Sequence, residues 1–183
     1  PVSCVSIDNF NASVDAVNYL IKLGHSKIAA ITGDFKTQVA IDRLNGYLTA
    51  LEKHKIEKKK DYIKYGDFER ESARILTKEL IRMKMPPTAI FAASDEMAVE
   101  AIRVCLENGV SVPGDISIIG FDDNPLALNY SLIPLTTIRQ PLHKMAVMAA
   151  KTLNDIIQKK IRANKRIVLP TELVERGSCR ALD

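Results

Sequence analysis

Three features of the sequence predict an α/β fold built on a doubly wound parallel sheet. Short runs rich in β-branched residues alternate with amphipathic stretches at helical spacing. The apolar runs are continuous rather than alternating, as in strands covered on both faces. Gly, Pro or Asn-Gly closes most of the helical stretches.

The elements follow in order. Residues 2–7 read as a strand and 14–23 as a helix ended by Gly24. Residues 27–32 form a second strand, closed by Gly33-Asp34. Ile41, Leu44, Leu48 and Leu51 recur at steps of three and four, which marks one face of a helix. Residues 61–65 are a third strand. Ala73, Leu76, Leu80 and Met83 mark the next helix, stopped by Pro86-Pro87. A strand over 89–93, a helix over 95–107 closed by Asn108-Gly109, and a strand over 116–121 complete the regular part.

After Asp122 the rhythm changes. Residues 135–140 are a short strand. Pro141 opens a long helix at its first turn, with a stripe of Leu142, Ala146, Ala149, Leu153 and Ile156. Residues 166–169 and 172–175 are extended pieces either side of Pro170. The chain thus enters and leaves a second unit. The expected division is 9–140 with 170–183 as the larger subdomain and 1–8 with 141–169 as the smaller. The smaller has too few elements to close a core of its own, and no internal repeat relates the two.

Composition narrows the function. The 183 residues are 46% hydrophobic and 26% charged, an ordinary globular balance. No apolar run approaches the roughly 20 residues that span a bilayer, so no membrane association is expected. The opening PVSCVSIDNF has neither a leader pattern nor an initiator Met. A trimmed chain is expected, so the missing leader says little about the parent protein. Cys4, Cys105 and Cys179 are odd in number and fit no metal or redox spacing, which suits a reduced cytoplasmic setting. The net charge is +4, and the basic run 53–60 has no aromatic before Tyr62. It reads as a solvated loop rather than a nucleic-acid patch.

In an open parallel sheet, ligands bind beyond the carboxyl ends of the strands. That rule selects Gly33-Asp34-Phe35, Gly66-Asp67-Phe68, Ser94-Asp95-Glu96, Asp122-Asp123-Asn124 and Gln140. Each has a structural reading as well. Ser94 can cap the helix it opens, with Asp95 and Glu96 suiting the helix dipole, and can also touch a ligand. Asp122 and Asp123 are adjacent on a strand and face opposite ways, so they do not form an acid dyad. One is expected to enter the crevice and the other to cap the turn before Pro125. Phe68 is either core or a flat platform for a ligand ring. Arg43 is either a solvated charge or a rigid fork of donors reaching the crevice. No phosphate-loop, dinucleotide or nucleophile-elbow motif is present, and His25, His54 and His143 have no metal-ligand spacing. No metal, no cofactor and no catalysis are expected. An α/β enzyme using Asp122 or Asp123 is a rival without a nominated base.

Five segments occur in a fixed order: Leu23-Gly24-His25-Ser26-Lys27, Arg43-Leu44-Asn45-Gly46-Tyr47, Ala89-Ile90-Phe91-Ala92-Ala93-Ser94-Asp95-Glu96-Met97, Val112-Pro113-Gly114-Asp115 running to Gly120-Phe121-Asp122-Asp123, and Leu135-Thr136-Thr137-Ile138-Arg139-Gln140-Pro141. Together they resemble the LacI/GalR family of repressors, whose effector domain is related to periplasmic sugar-binding proteins. The resemblance implies a periplasmic-binding-protein-like fold of class I and a sensor of a small, sugar-like effector. Asp122 would accept hydrogen bonds from effector hydroxyls, each charged contact being worth roughly 1.5–3 kcal/mol. Arg43 would bridge effector oxygens, Phe68 would stack on the ring, and Ser94 would stand where the family often has Asn. Gln140 would sit at the hinge. Residues 95–107 and 124–133 would lie near a homodimer interface. Operator DNA would be read only through a head that these residues do not include. An exported sugar-binding protein of the same fold is the alternative.

Overall fold

The structure is a computed structural model that describes residues 2–125, 129–161 and 164–182. It divides into two compact units, one of residues 9–139 with 173–183 and one of residues 1–8 with 140–172.

The larger unit is the doubly wound α/β sheet that the alternation predicts. Its strands are β2 (Ile28–Thr32), β3 (Ile63–Tyr65), β4 (Ala89–Ala92), β5 (Ser117–Asp122), β6 (Thr136–Arg139) and β8 (Glu172–Val174). They lie in the order β3-β2-β4-β5-β6-β8, and all pairs from β3 through β6 are parallel. The helices are α1 (Asn9–Lys22), α2 (Gln38–Lys53), α3 (Arg70–Ile81) and α4 (Asp95–Glu107). The third strand is shorter than expected. A 3-10 turn takes Lys60–Tyr62, tying Tyr62 N–H to the Lys59 carbonyl.

Strand alternation assigns the helices to faces. Ile31, Ile90, Ala92 and Ile118 point into a core with Ala73, Leu80, Met97, Ala98 and Ile102 of α3 and α4. Phe91 and Phe121 point the other way, toward α2, where Tyr47 stacks on Phe91 with centroids 6.4 Å apart. The Tyr47 hydroxyl donates to the Ile28 carbonyl at 2.8 Å, so its polar end is satisfied inside the core. Ion pairs knit α3 to α4 on their outer side, Arg74 reaching Glu100 at 2.7 Å and Glu107 at 2.6 Å. The amino-terminal side of the sheet is clamped by His25. Its ring meets the Thr88 and Ser117 hydroxyls, each at 3.0 Å, and the Arg180 carbonyl at 3.1 Å. That fully packed histidine has a structural role, far from the carboxyl edge. The basic run 53–60 is the end of α2 and the loop after it, where Lys58 pairs with Glu52.

The smaller unit holds β1 (Cys4–Ile7), β7 (Arg166–Leu169) and α5 (Leu142–Ile157). β1 and β7 pair in parallel, Cys4 opposite Arg166. Pro141 stands one position earlier than the sequence suggests, as the N-cap rather than the first helical residue. Only Thr152 of α5 is buried, and Leu142, Val147, Leu153 and Ile157 are each at least half exposed. An apolar groove of about 400 Å³ runs between Val2, Val5, Ala149, Leu153 and Ile156.

Candidate functional site

The carboxyl edge of the larger sheet gathers its polar side chains where β4 and β5 end. Helix α2 begins on a firm stop. Thr37 accepts the Ala40 N–H, while Asp34 holds the turn before it through the Lys36 N–H and its own carbonyl. From this start Arg43, on the second turn, projects inward and is 4% exposed. The solvated alternative is therefore excluded. Its guanidinium donates to Asn9 Oδ1 at 3.0 Å and to the Ala93 carbonyl at 2.5 Å, and it pairs with Asp122 at 3.1 Å. It also lies 3.6 Å above the Phe121 ring centre. Burial lowers the tendency of Arg43 to hold its proton, and the charges of Asp122 and Asp95 restore part of it.

Asp122 ends β5 with φ of 122°, and Asp123 follows with φ of 54°. Phe68 has φ of 74°. Three of the non-glycine residues in the left-handed region thus sit on this one edge. Each costs about 1–3 kcal/mol that the surrounding contacts must hold. The Asp122 side chain keeps 27% of its surface open to solvent.

Asp123 corrects the sequence reading, which gave the second acid a turn-capping role. It faces away from Arg43, as alternation predicts, and accepts from Arg139 at 2.6 Å and from Arg176 at 2.7 Å. Burial alone would raise its pKa, but these two cations overcome that and hold the carboxyl low. The N–H of the turn residue Asn124 goes instead to Asp95 Oδ2 at 2.7 Å.

Ser94 caps α4, its hydroxyl accepting the Met97 N–H at 3.3 Å. Asp95 is the residue whose role the sequence reading missed. The sequence suggests only that it suits the helix dipole or touches a ligand, but it is fully buried. Its Oδ1 accepts the Thr137 hydroxyl at 2.5 Å. Burial pushes this carboxyl up to about 7. The bonds from Thr137 and Asn124 oppose the rise, and the charges of Asp122 and Asp123 add to it. A signal did exist. Asp95, Ala98, Val99 and Ile102 share the inward face of α4 at the helical steps of three, four and seven.

Phe68 lies at the neighbouring strand ends, half-buried against the α3–α4 core. Its ring covers Gly33, where any Cβ would fall inside it. Beside it Phe35 and Tyr65 meet edge to face, with centroids 5.1 Å apart. Arg43, Asp122 and Ser94 thus share the β4–β5 end, and Phe68 marks the β2–β3 end. Gln140 belongs to the smaller unit, where its carbonyl accepts the Leu142 N–H at 2.8 Å. Of the 124–133 stretch, residues 126–128 lie outside the described residues. Among the described residues no His, Cys, Asp and Glu cluster could hold a metal, and no helix is long and apolar enough to cross a membrane.

The arrangement offers one rigid donor fork, one acceptor and aromatic surface along the edge where such sheets take ligands. Comparisons with known proteins give the family of the chain. The sequence profile of the periplasmic binding protein-like domain matches residues 17–179. The HTH-type transcriptional repressor CytR of Escherichia coli (strain K12) is 39% identical over 178 residues, 97% of this chain and 52% of its own length. The chain therefore spans about half of the curated relatives it matches. Among solved structures, the complex of the transcriptional regulator CelR with cellobiose superposes with a TM-score of 0.91 at 35% identity, over 97% of this chain and 54% of that one. A LacI-family sugar-binding transcriptional regulator from Escherichia coli, complexed with phosphate, gives 0.85 at 29% identity, over 96% and 63%. The chain belongs to the periplasmic binding protein-like domain family, and the proteins it matches are LacI-type transcriptional regulators.

Proposed function

We propose that this chain is the effector-sensing part of a cytoplasmic DNA-binding repressor, and that a small, sugar-like molecule binds at the carboxyl edge of the larger sheet. The observation that carries the reading is the Arg43–Asp122 pair, a buried fork of donors facing a half-open acceptor across 3.1 Å. Arg43 and Asp122 contact effector oxygens, Ser94 supplies a hydroxyl, and Phe68 offers its ring. Gln140 lies at the junction where the chain passes between the two units. The smaller unit, with its exposed α5 stripe, is a remnant of a second subdomain that the rest of the parent protein covers. Operator DNA is read by a separate head in the parent, and the parent is a homodimer. Effector binding biases the heads through a coupling of about 1–3 kcal/mol, and the domain turns over no substrate.

The repressor relatives support this reading over an exported binding protein. Its test is a thermal-shift screen of the full-length parent against neutral sugars, with Arg43→Ala as control. A ligand at 100 times its Kd should stabilise by about 2.7 kcal/mol. The same ligand should leave the variant unshifted. Equal shifts in both proteins would place the ligand elsewhere and defeat the reading.

A further inference from the structure

We propose that Asp95 is a positioning residue for this site: its buried carboxylate ties the start of α4 to β6 and to the turn after β5 and so holds Asp122 opposite Arg43. The inference rests on reading Arg43 and Asp122 as the effector's polar contacts.

The geometry is a three-way junction. Asp95 begins α4, directly after the end of β4. One carboxyl oxygen takes the Thr137 hydroxyl of β6 at 2.5 Å and the other takes the Asn124 N–H just beyond β5 at 2.7 Å. The left-handed residues Asp122 and Asp123 are the two that immediately precede Asn124. Their unfavourable backbone is thus pinned on one side by the β5 ladder, in which Asp122 registers with Arg139, and on the other by Asp95. The same junction orients Arg43, whose guanidinium donates to the carbonyl of Ala93, two residues before Asp95. Gly120 belongs to the device. A Cβ there would fall against Oδ1 of Asp95, so the carboxylate can reach across β5 only over a glycine. Donor and acceptor of the pair are both referenced to one short stretch, residues 93–95.

The charged groups facing Asp95 are Arg43 from α2, Asp122 at the end of β5 and Asp123 just beyond it, with Asp123 already paired to Arg139 and Arg176. Loss of its proton changes the field at Arg43 without removing either hydrogen bond, because each carboxyl oxygen can still accept. Burial raises its titration to about 7, which makes the effect observable near neutrality.

The test needs no ligand, so its outcome is separate from that of the effector screen. The full 183-residue chain is labelled with nitrogen-15, and the guanidinium signals of Arg43 are followed by NMR in wild type, Asp95→Asn, Asp95→Ala and Thr137→Val. The Asn variant keeps an acceptor for Asn124 and a polar group for Thr137. Its Arg43 protons should therefore exchange within about twofold of wild type. In the Ala variant exchange should quicken about tenfold or more, the loss expected of a hydrogen bond to a charged group. In Thr137→Val, which keeps one of the two bonds, the increase should be intermediate. The wild-type Arg43 shift should also follow a titration near neutrality that is absent in Asp95→Asn. A folded Ala or Val variant whose Arg43 signals match wild type would overturn the proposal. If the Ala variant does not fold, the Val variant and the missing titration in Asp95→Asn decide it.

Discussion

Arg43→Ala removes a guanidinium that is 4% exposed, has three polar partners and lies over the Phe121 ring. The bonds lost are those to Asn9 at 3.0 Å and to the Ala93 carbonyl at 2.5 Å, and the ion pair with Asp122 at 3.1 Å. At roughly 1.5–3 kcal/mol each, they would sum to more than the variant should lose. Two terms reduce the sum. Burying the guanidinium costs several kcal/mol, which the variant recovers. Asp122 keeps 27% of its surface open, so its carboxylate rehydrates instead of standing unpaired in the core. The Ala93 carbonyl, lying deep at the end of β4, has no such relief and costs about 1–3 kcal/mol. The net expectation is a loss of about 2–4 kcal/mol. In a chain of this size each kcal/mol moves Tm by roughly 2–4 °C. Urea unfolding at pH 7, followed by circular dichroism and by tyrosine fluorescence, measures it. Combining the change with Asp122→Asn should give a coupling of about 1–2 kcal/mol. A variant within about 0.5 kcal/mol of wild type, or strict additivity in the cycle, would refute the account of the strand-end network.

Other changes probe separate parts of the structure. Gly33→Ala would drive a methyl into the Phe68 ring and displace it, at about 1–3 kcal/mol in urea unfolding; no change would mean that Phe68 does not rest on Gly33. Thr77 is buried in α3 and its hydroxyl makes no hydrogen bond, so Thr77→Val should raise stability by about 0.5–1 kcal/mol. The Asp95 carboxyl titrates at about 7 when folded, above its ordinary value of 3.8. The folded chain therefore holds this proton more tightly, and the Asp95 contribution falls as pH rises from that ordinary value to about 7, by at most about 4 kcal/mol. The difference between wild type and Asp95→Asn should follow that slope, and a flat difference would contradict it. The exposed apolar stripe on α5 predicts that the isolated chain self-associates in sedimentation velocity, and a monodisperse monomer would count against that.

The sequence disclosed most of the scaffold because burial on both faces leaves a pattern in it. Residues 89–93 are a continuous apolar run and 116–121 one broken only by Ser117, and they form central strands within about a residue of their expected ends. Helix α4 begins and ends where its Ser94 cap and Asn108-Gly109 place it. Asp122 and Ser94 could be singled out because the strand-end rule needs only the order of elements, and Arg43 because it lies near the start of a helix that follows one such end. What could not be read was direction. Whether Arg43 points in or out depends on how α2 rolls over Phe121, which no local pattern encodes. The sequence offers Asp95 a helix-dipole role and Asp123 a turn-capping one, because acids in a first turn or near a proline usually have such local partners. Their true partners, Thr137, Arg139 and Arg176, lie between 16 and 53 residues away in the chain. Such long-range pairings leave little trace in one sequence.

If the effector binds at Arg43 and Asp122 as proposed, their preformed ion pair constrains its chemistry. A lone anion would compete with Asp122 for the Arg43 fork, leaving a carboxylate beside another negative charge. A lone cation would do the converse to the buried guanidinium. Each would replace one charge contact by another and gain little. A neutral polyol differs, because each hydroxyl both donates and accepts. Two adjacent hydroxyls can give to Asp122 and take from Arg43 while the two side chains stay within reach of one another. The bonds of Arg43 to Asn9, to the Ala93 carbonyl and to Asp122 fix this geometry before any ligand arrives, so little ordering would remain to oppose binding. The same rigidity sharpens selectivity. A sugar lacking one of the two hydroxyls would leave a buried donor unmet, and discrimination against deoxy analogues should exceed that against analogues differing by a methylene.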